Sequence, residues 1–140
     1  MRKKMVFLPL LVLFAVLAAL AGRHFIGSRP FRDLRDGEIV SASVQLMPPD
    51  VTLTLTADEC RALEGLLREV VIYERDSSWN SYCGQAVVYT AALADGTERT
   101  VYAYNPFLII DGIGYRTKYK PCEALSRFAN VTRSDARKAQ

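Results

Sequence analysis

Histidine is almost missing from this chain: the one copy among 140 residues is His24, close to an N-terminal apolar run. The body of the chain after it has no imidazole, which excludes Ser-His-Asp and Cys-His catalysis and any histidine-based zinc site. Cysteine is scarce as well. Cys60, Cys83 and Cys122 are an odd number, separated by 22 and 38 residues without a C-x-x-C pair, so no disulfide framework or zinc ribbon is encoded. No G-x-G-x-x-G, P-loop or H-E-x-x-H segment occurs. Asp111-Gly-Ile-Gly114 leads into a strand-like stretch rather than a helix, so it reads as a turn and not as a phosphate cradle. Neither a metal nor a cofactor is expected.

Acidic residues are missing from the first 29 positions, where Arg2, Lys3, Lys4, Arg23 and Arg29 stand. From Pro30 onward the balance is 13 basic against 15 acidic residues, a formal −2. The basic excess therefore belongs to the N-terminal flank, and no basic stripe with interleaved aromatics remains for nucleic acid.

What is present first is a run without charge, Met5 to Gly22. Eighteen residues at about 1.5 Å each span roughly 27 Å, the lower end of what crosses a ~30 Å hydrocarbon core. Residues 1–22 read as a transmembrane anchor, with a signal peptide cut after Ala19-Leu20-Ala21 as the alternative. Basic residues flank both ends, Arg2, Lys3 and Lys4 on one side and Arg23, Arg29, Arg32 and Arg35 on the other. The order of basic start, apolar run and small-residue end is that of an export signal, so the N-terminus is expected in the cytoplasm. The predicted location is the cell membrane, single-pass with an extracytoplasmic C-terminal domain, or a secreted product if the segment is removed.

Residues 23–36 form a polar, Arg-rich linker, and 37–132 a single α+β domain. In Glu38 to Met47, Val40, Ala42, Val44 and Leu46 alternate with Ser41, Ser43 and Gln45, the period of a half-buried strand. Pro48-Pro49-Asp50 stops it, and Val51 to Leu55 resumes as the second arm of a hairpin. Thr56-Ala-Asp-Glu59 is a capping box. The helix it opens sets Cys60, Leu63, Leu66, Leu67 and Val70 on one stripe, with Arg61, Glu64 and Arg68 opposite. Val70 to Tyr73 reads as the start of another strand, ending in the polar loop Glu74 to Ser81; Gln85 to Leu93 and Glu98 to Tyr104 are joined by Asp95-Gly96. Phe107 to Ile110 and Ile113 to Tyr119 are joined by Asp111-Gly112, and both Asp-Gly pairs predict type I′ turns. Pro121 suits the first position of a final helix ending at Asn130, and residues 133–140 read as a disordered tail. The expected fold is α+β: a mostly antiparallel sheet of about six strands, two helices on one face, and an N-terminal apolar helix before it.

Candidate chemistry is thin. Cys60 lies on the apolar stripe and reads as an inert buried thiol. Cys122 sits in the first turn of the last helix, where the dipole could lower its pKa, but no general base is near it in sequence. A Cys60–Cys122 disulfide between two helices on one sheet face is conceivable. The loop Ser77 to Tyr82 carries the only tryptophan, Trp79, and with Tyr82 it is a candidate binding element; the competing reading is that Trp79 folds back as a lid. Tyr89, Tyr102, Tyr104, Tyr115 and Tyr119 fall on strands or their ends. Any that line an uncovered sheet face, Tyr102 and Tyr104 first, would join Trp79 and Tyr82 in a platform for an envelope protein, a peptide or a glycan.

The stretches Pro30-Phe-Arg-Asp-Leu34, Ile39 to Val44, Pro48-Pro49-Asp50, Val71-Ile-Tyr73, Tyr104 to Tyr115 and Lys118 to Leu125 resemble an uncharacterised family of small membrane-anchored or lipoprotein-type extracytoplasmic domains of clostridial bacteria. The resemblance covers nearly all of the chain after the apolar run. It brings no catalytic residue to map. This sequence departs from the lipoprotein-type members in having no cysteine after its apolar run. The function expected is a non-catalytic binding or interaction module tethered at the membrane. The alternatives are an envelope enzyme using Cys122 or the carboxylates of Asp111 and Glu123, or a sensor domain.

Overall fold

The computed structural model describes residues 2–140, apart from the side chains of residues 2–6, 23 and 24. The basic groups of Arg2, Lys3, Lys4 and Arg23, on which the expected orientation rests, and the His24 imidazole lie outside the described side chains. The order is α1 (Arg2–Ile26), β1 (Ile39–Met47), β2 (Val51–Thr54), α2 (Ala57–Arg68), β3 (Ile72–Arg75), β4 (Ala86–Leu93), β5 (Glu98–Tyr104), β6 (Phe107–Ile110), β7 (Ile113–Thr117) and α3 (Tyr119–Lys138). Among the described residues no helix is long and apolar enough to cross a membrane. The uncharged run begins at Met5 and Val6, whose side chains fall outside that description.

The strands form one antiparallel sheet of seven, in the order β2-β1-β4-β5-β6-β7-β3. The seventh strand is β3, the short segment after α2, which pairs with β7 at the sheet edge through Ile72 and Thr117. Its sequence signal is weak because only Ile72 of its four residues is buried. Alternation then fixes the faces. Val44 and Leu46 of β1, Val87 and Tyr89 of β4, Val101 and Ala103 of β5 and Leu108 of β6 turn to one side, where Leu63, Leu67, Cys122, Leu125 and Ala129 of α2 and α3 meet them. The Tyr89 hydroxyl crosses this layer and donates to the Leu125 carbonyl at 2.6 Å, so burial, which pushes its phenol up, leaves no unmet polar atom there.

The capping box forms as written: the Thr56 side chain accepts from the Glu59 amide at 3.3 Å, and the Glu59 carboxylate accepts from the Thr56 amide at 2.7 Å. Glu64, however, is not on a solvated face. It is 0% exposed, and its carboxylate accepts from the Gly37 amide at 3.0 Å and the Ile39 amide at 2.8 Å. Four residues on, Arg68 reaches the Leu34 carbonyl at 2.9 Å and the Asp36 carboxylate at 2.8 Å. One turn of α2 thus holds the chain as it enters β1.

The linker expected at 23–36 is consequently part of the packed structure. Ser28 exchanges backbone bonds with Ile72 at 2.8 and 2.9 Å, Arg29 pairs with Glu69 at 3.0 Å, and Phe31 is 5% exposed within the core. Its arginines conceal two apolar positions, Phe31 and Leu34, that pack inward. At the other end, the tail expected to be disordered continues as helix to Lys138. Thr132, the last residue before it, is buried, and Arg137 and Lys138 in the last turn suit the negative end of the dipole. Lys118 is the N-cap, which places Pro121 at the third helical position rather than the first; an unpaired amide is spared there too.

Only one Asp-Gly pair makes the two-residue turn. Asp111 and Gly112 both have positive φ, 49° and 84°, between the paired Ile110 and Ile113, as type I′ requires. At Asp95-Gly96 only Gly96 is positive, at 85°, and the Gly96 amide donates to Leu93 while the Leu93 amide donates to Thr97. That is a three-residue loop, a type I turn closed by a left-handed glycine.

Removing the Glu64 carboxylate strands two backbone amides inside the protein. Glu64→Ala is expected to cost about 2–3 kcal/mol, and Glu64→Gln, which keeps an acceptor, clearly less. Urea midpoints of the two variants check this, and equal losses would show that the carboxylate acts by volume alone.

Candidate binding surface

The sheet face away from α2 and α3 is built from two cross-strand rows. In one, Met47 pairs with Ala86, Tyr104 with Phe107, and Phe107 with Arg116; in the next, Gln45 pairs with Val88, Val88 with Tyr102, Tyr102 with Ile109, and Ile109 with Gly114. No helix covers these rows, yet Phe107 and Ile109 are buried. What covers them is the loop after β3.

That loop is pinned by Asp76. Its amide donates to the Gly114 carbonyl at 3.0 Å, and its carboxylate accepts from the Ser78 amide and the Arg116 guanidinium, each at 2.8 Å. The Ser78 bonds first, and Arg116 after them, hold the Asp76 carboxyl below its ordinary range. Arg116 in turn lies over the Phe107 ring at 4.8 Å. The chain then makes a short 3-10 turn, Ser78–Ser81, which lays Trp79 back onto the sheet. Trp79 meets Tyr102 with ring centres 5.9 Å apart, Tyr102 meets Tyr104 edge-on at 6.2 Å, and Tyr82 meets Phe107 edge-on at 5.0 Å.

Gly114 makes this possible. A Cβ there would lie 2.6 Å from the Asp76 carbonyl oxygen and 2.7 Å from the Trp79 ring nitrogen. A glycine inside a strand marks such a close approach.

The position of Trp79 is that of the lid reading. Trp79 folds back, and in doing so it forms one wall of an open groove of ≈ 470 Å³ with Met47, Tyr82, Gly84, Tyr102 and Tyr104. Trp79, Tyr82, Tyr102 and Tyr104, the four residues singled out from sequence, all line it. The residues lining it carry no charged side chain. Tyr82 remains 50% exposed. Burial against its neighbours, then Cys83 and Tyr102, raise the Tyr104 phenol, so it serves as a neutral hydroxyl.

The other tyrosines go elsewhere: Tyr89 and Tyr115 pack on the helix side, and Tyr119 is exposed at the start of α3. Sequence reasoning missed Met47, which the register brings beside Ala86, and the Asp76–Arg116 pair, whose members are 40 residues apart. The glycine at 114 was the one available signal.

The groups considered for catalysis are not gathered. Cys122 is 0% exposed, its Sγ donates to the Phe107 carbonyl at 3.5 Å, and burial pushes its thiol up to about 12. The dipole at the start of α3 does not outweigh that desolvation. Asp111 accepts from Arg99 at 2.7 Å and from the Thr100 amide at 2.9 Å, and Glu123 pairs with Arg127 at 3.5 Å. The Cys60–Cys122 bridge is not formed either: all three cysteines are free, and burial raises the Cys60 thiol. Among the described residues no cluster of histidine, cysteine or acidic side chains could hold a metal ion. Compared with known proteins, the chain matches no family model, no curated protein sequence and no solved structure.

Cys83 is exposed while Cys60 and Cys122 are buried. A disulfide-exchange reagent should therefore titrate one thiol at once in the native protein and the other two only on unfolding. Because the fold favours the protonated Cys122, its contribution to stability is complete below the ordinary value of 9.0 and is lost as pH rises toward about 12. Three fast thiols in the native state would contradict the packing of both helices.

Proposed function

We propose that this chain is a non-catalytic, extracytoplasmic binding module, held at the cell membrane by α1 and recognising an uncharged glycan or peptide segment in the groove of Trp79, Tyr82, Tyr102 and Tyr104. The observation that carries this reading is the convergence of four aromatic side chains on one open groove, with no charged group in its lining. Aromatic rings fixed on a strand and on a pinned loop offer large contact area at little entropic cost, with their polar tips left to orient a ligand. The Asp76 hydrogen bonds and the packing of Trp79 at Gly114 support a site formed before its ligand arrives. The burial of Cys122, whose thiol donates to the Phe107 carbonyl, favours this reading over an envelope enzyme.

Membrane attachment rests on α1. Phe7, Leu8, Leu10, Leu11, Val12, Leu13, Phe14, Val16, Leu17 and Leu20 are each at least 50% exposed. At 100° per residue they point to every side of the helix, and a helix apolar all round calls for a bilayer or another protein around it. The resemblance to membrane-anchored extracytoplasmic domains agrees with that assignment.

Trp79 is the only tryptophan, so its fluorescence reports the groove directly. Full chain in detergent, screened on an array of neutral oligosaccharides and uncharged peptides, should bind a subset that shifts this emission. Tyr102→Ala should weaken binding at least tenfold while leaving the thermal melt cooperative. Binding unchanged by Tyr102→Ala and Tyr82→Ala would remove the groove from the function.

The location has its own test. Protease added to intact protoplasts should cleave the domain, and mass measurement should find the N-terminus intact in the membrane fraction. Protection until lysis would reverse the topology, whereas loss of residues 1–21 would make the product secreted.

A further inference from the structure

β2 is the outer strand of the sheet, opposite the edge where Ser28 pairs with β3. The Leu55 amide donates to the Ala42 carbonyl at 2.9 Å, and the register continues as Leu53 with Val44 and Val51 with Leu46. Hydrogen-bonded positions alternate in an antiparallel ladder. Val51 and Leu53 therefore turn their backbone groups to β1, and Thr52 and Thr54 turn theirs outward. β2 is short, four residues, but Val51–Thr54 carries no lysine, no proline within the strand and no inward charge to blunt the edge.

Beside this edge runs a groove of ≈ 370 Å³, lined by Pro49, Val51 and Leu53 on the strand side and by Arg133, Ala136 and Arg137 of α3 on the other. Arg133 and Arg137 are one helical turn apart and share a face. Among the described residues neither pairs with a carboxylate, while the nearby Asp135 pairs with Lys138 at 3.6 Å and Asp50 accepts from Gln45 at 2.8 Å. An apolar floor thus lies between open backbone groups and two unneutralised guanidiniums.

We infer that this groove takes an extended peptide segment bearing carboxylates, which adds to β2 as a further strand. The mode is strand addition at an exposed edge: backbone pairing supplies affinity, and alternate side chains supply selectivity. Alternate side chains of an added strand face the helix side of the sheet, where Arg133 and Arg137 stand one turn of α3 apart. Carboxylates at alternate positions of the peptide therefore turn toward the two arginines, each able to make a bidentate contact.

Charge selects this occupant over a second copy of the chain. Pairing two β2 edges about a two-fold axis would bring the arginines of both copies together. The edge also lies six strand spacings from β3, ~29 Å, from the side where α1 joins the sheet. The site is independent of the aromatic groove, with which it shares no residue.

The test uses full chain in detergent and a displayed library of random twelve-residue peptides. Selection is expected to enrich sequences with Asp or Glu at alternating positions. A synthetic copy of the best peptide, read by fluorescence anisotropy, should lose at least tenfold in affinity on Arg133→Glu/Arg137→Glu and on Thr52→Pro, which removes an outward amide alone. Lys120→Glu, at the other end of α3, should leave affinity within twofold. Should Thr52→Pro fail to melt cooperatively, the peptide N-methylated at alternate residues takes its place, with the same loss expected. Enrichment of neutral or basic peptides, no enrichment, or equal binding to the variants or by the N-methylated peptide would overturn the proposal. So would a wild-type dimer that dissociates on Arg133→Glu/Arg137→Glu.

Discussion

A single antiparallel sheet with two helices has one face covered and one face left over, and much of this structure follows from how the second face is treated. α2 and α3 bury the inward rows of β1, β4, β5 and β6. On the opposite side Phe107 and Ile109 would be exposed beside one another, a patch that a solvated sheet does not sustain. The loop between β3 and β4 answers this by folding back. Asp76 supplies the fixed point, Arg116 shields Phe107, and Gly114 leaves room for the indole. The covering is partial, and its open margin is the aromatic groove.

The entry to the sheet obeys a second constraint. Chain arriving at β1 carries amides at Gly37, before the strand, and at Ile39, where the register with β4 shifts. Glu64 satisfies both from the helix side. A buried carboxylate is costly alone but not when it accepts from aligned backbone donors. The same turn of α2 brings Arg68 to Leu34 and Asp36. Helix, connector and first strand are therefore fixed as a unit. The connector extends back through Phe31, under the Arg99 guanidinium 5.2 Å away, to Ser28 on the opposite sheet edge.

Most of this fold was legible because it is local. Alternation in β1, β2, β4 and β5, the capping box at Thr56 and the Asp111-Gly112 turn are written within a few adjacent residues, and each took the form its chemistry demands. Glu64 was misplaced because helical periodicity assigns a carboxylate to water unless a partner is visible, and its partners lie 25 and 27 residues upstream. The connector was misread for a related reason: arginine-rich composition masked Phe31 and Leu34. Of the groove, the aromatic residues were legible and their convergence was not. Tyr102 and Tyr104 share a face by strand period, but the path that lays Trp79 on them depends on the contact of Asp76 with Arg116 across 40 residues.

The two surfaces left open by the fold differ in kind, and the difference is set by what surrounds them. The aromatic groove lies on the sheet face, where strand backbones are already paired, so only side chains can recognise a ligand there. Its lining is uncharged, so a ligand seated there would meet ring faces and hydroxyls. The β2 edge presents backbone groups, which bind any extended chain alike, and it needs a second element for selectivity. α3 supplies it because the helix runs on to Lys138 instead of ending at Asn130, carrying Arg133 and Arg137 alongside β2. Without those last turns the edge would be a bare template for association. With them, neighbouring copies repel and carboxylate-bearing segments are attracted, so the same two arginines guard the strand and select its partner.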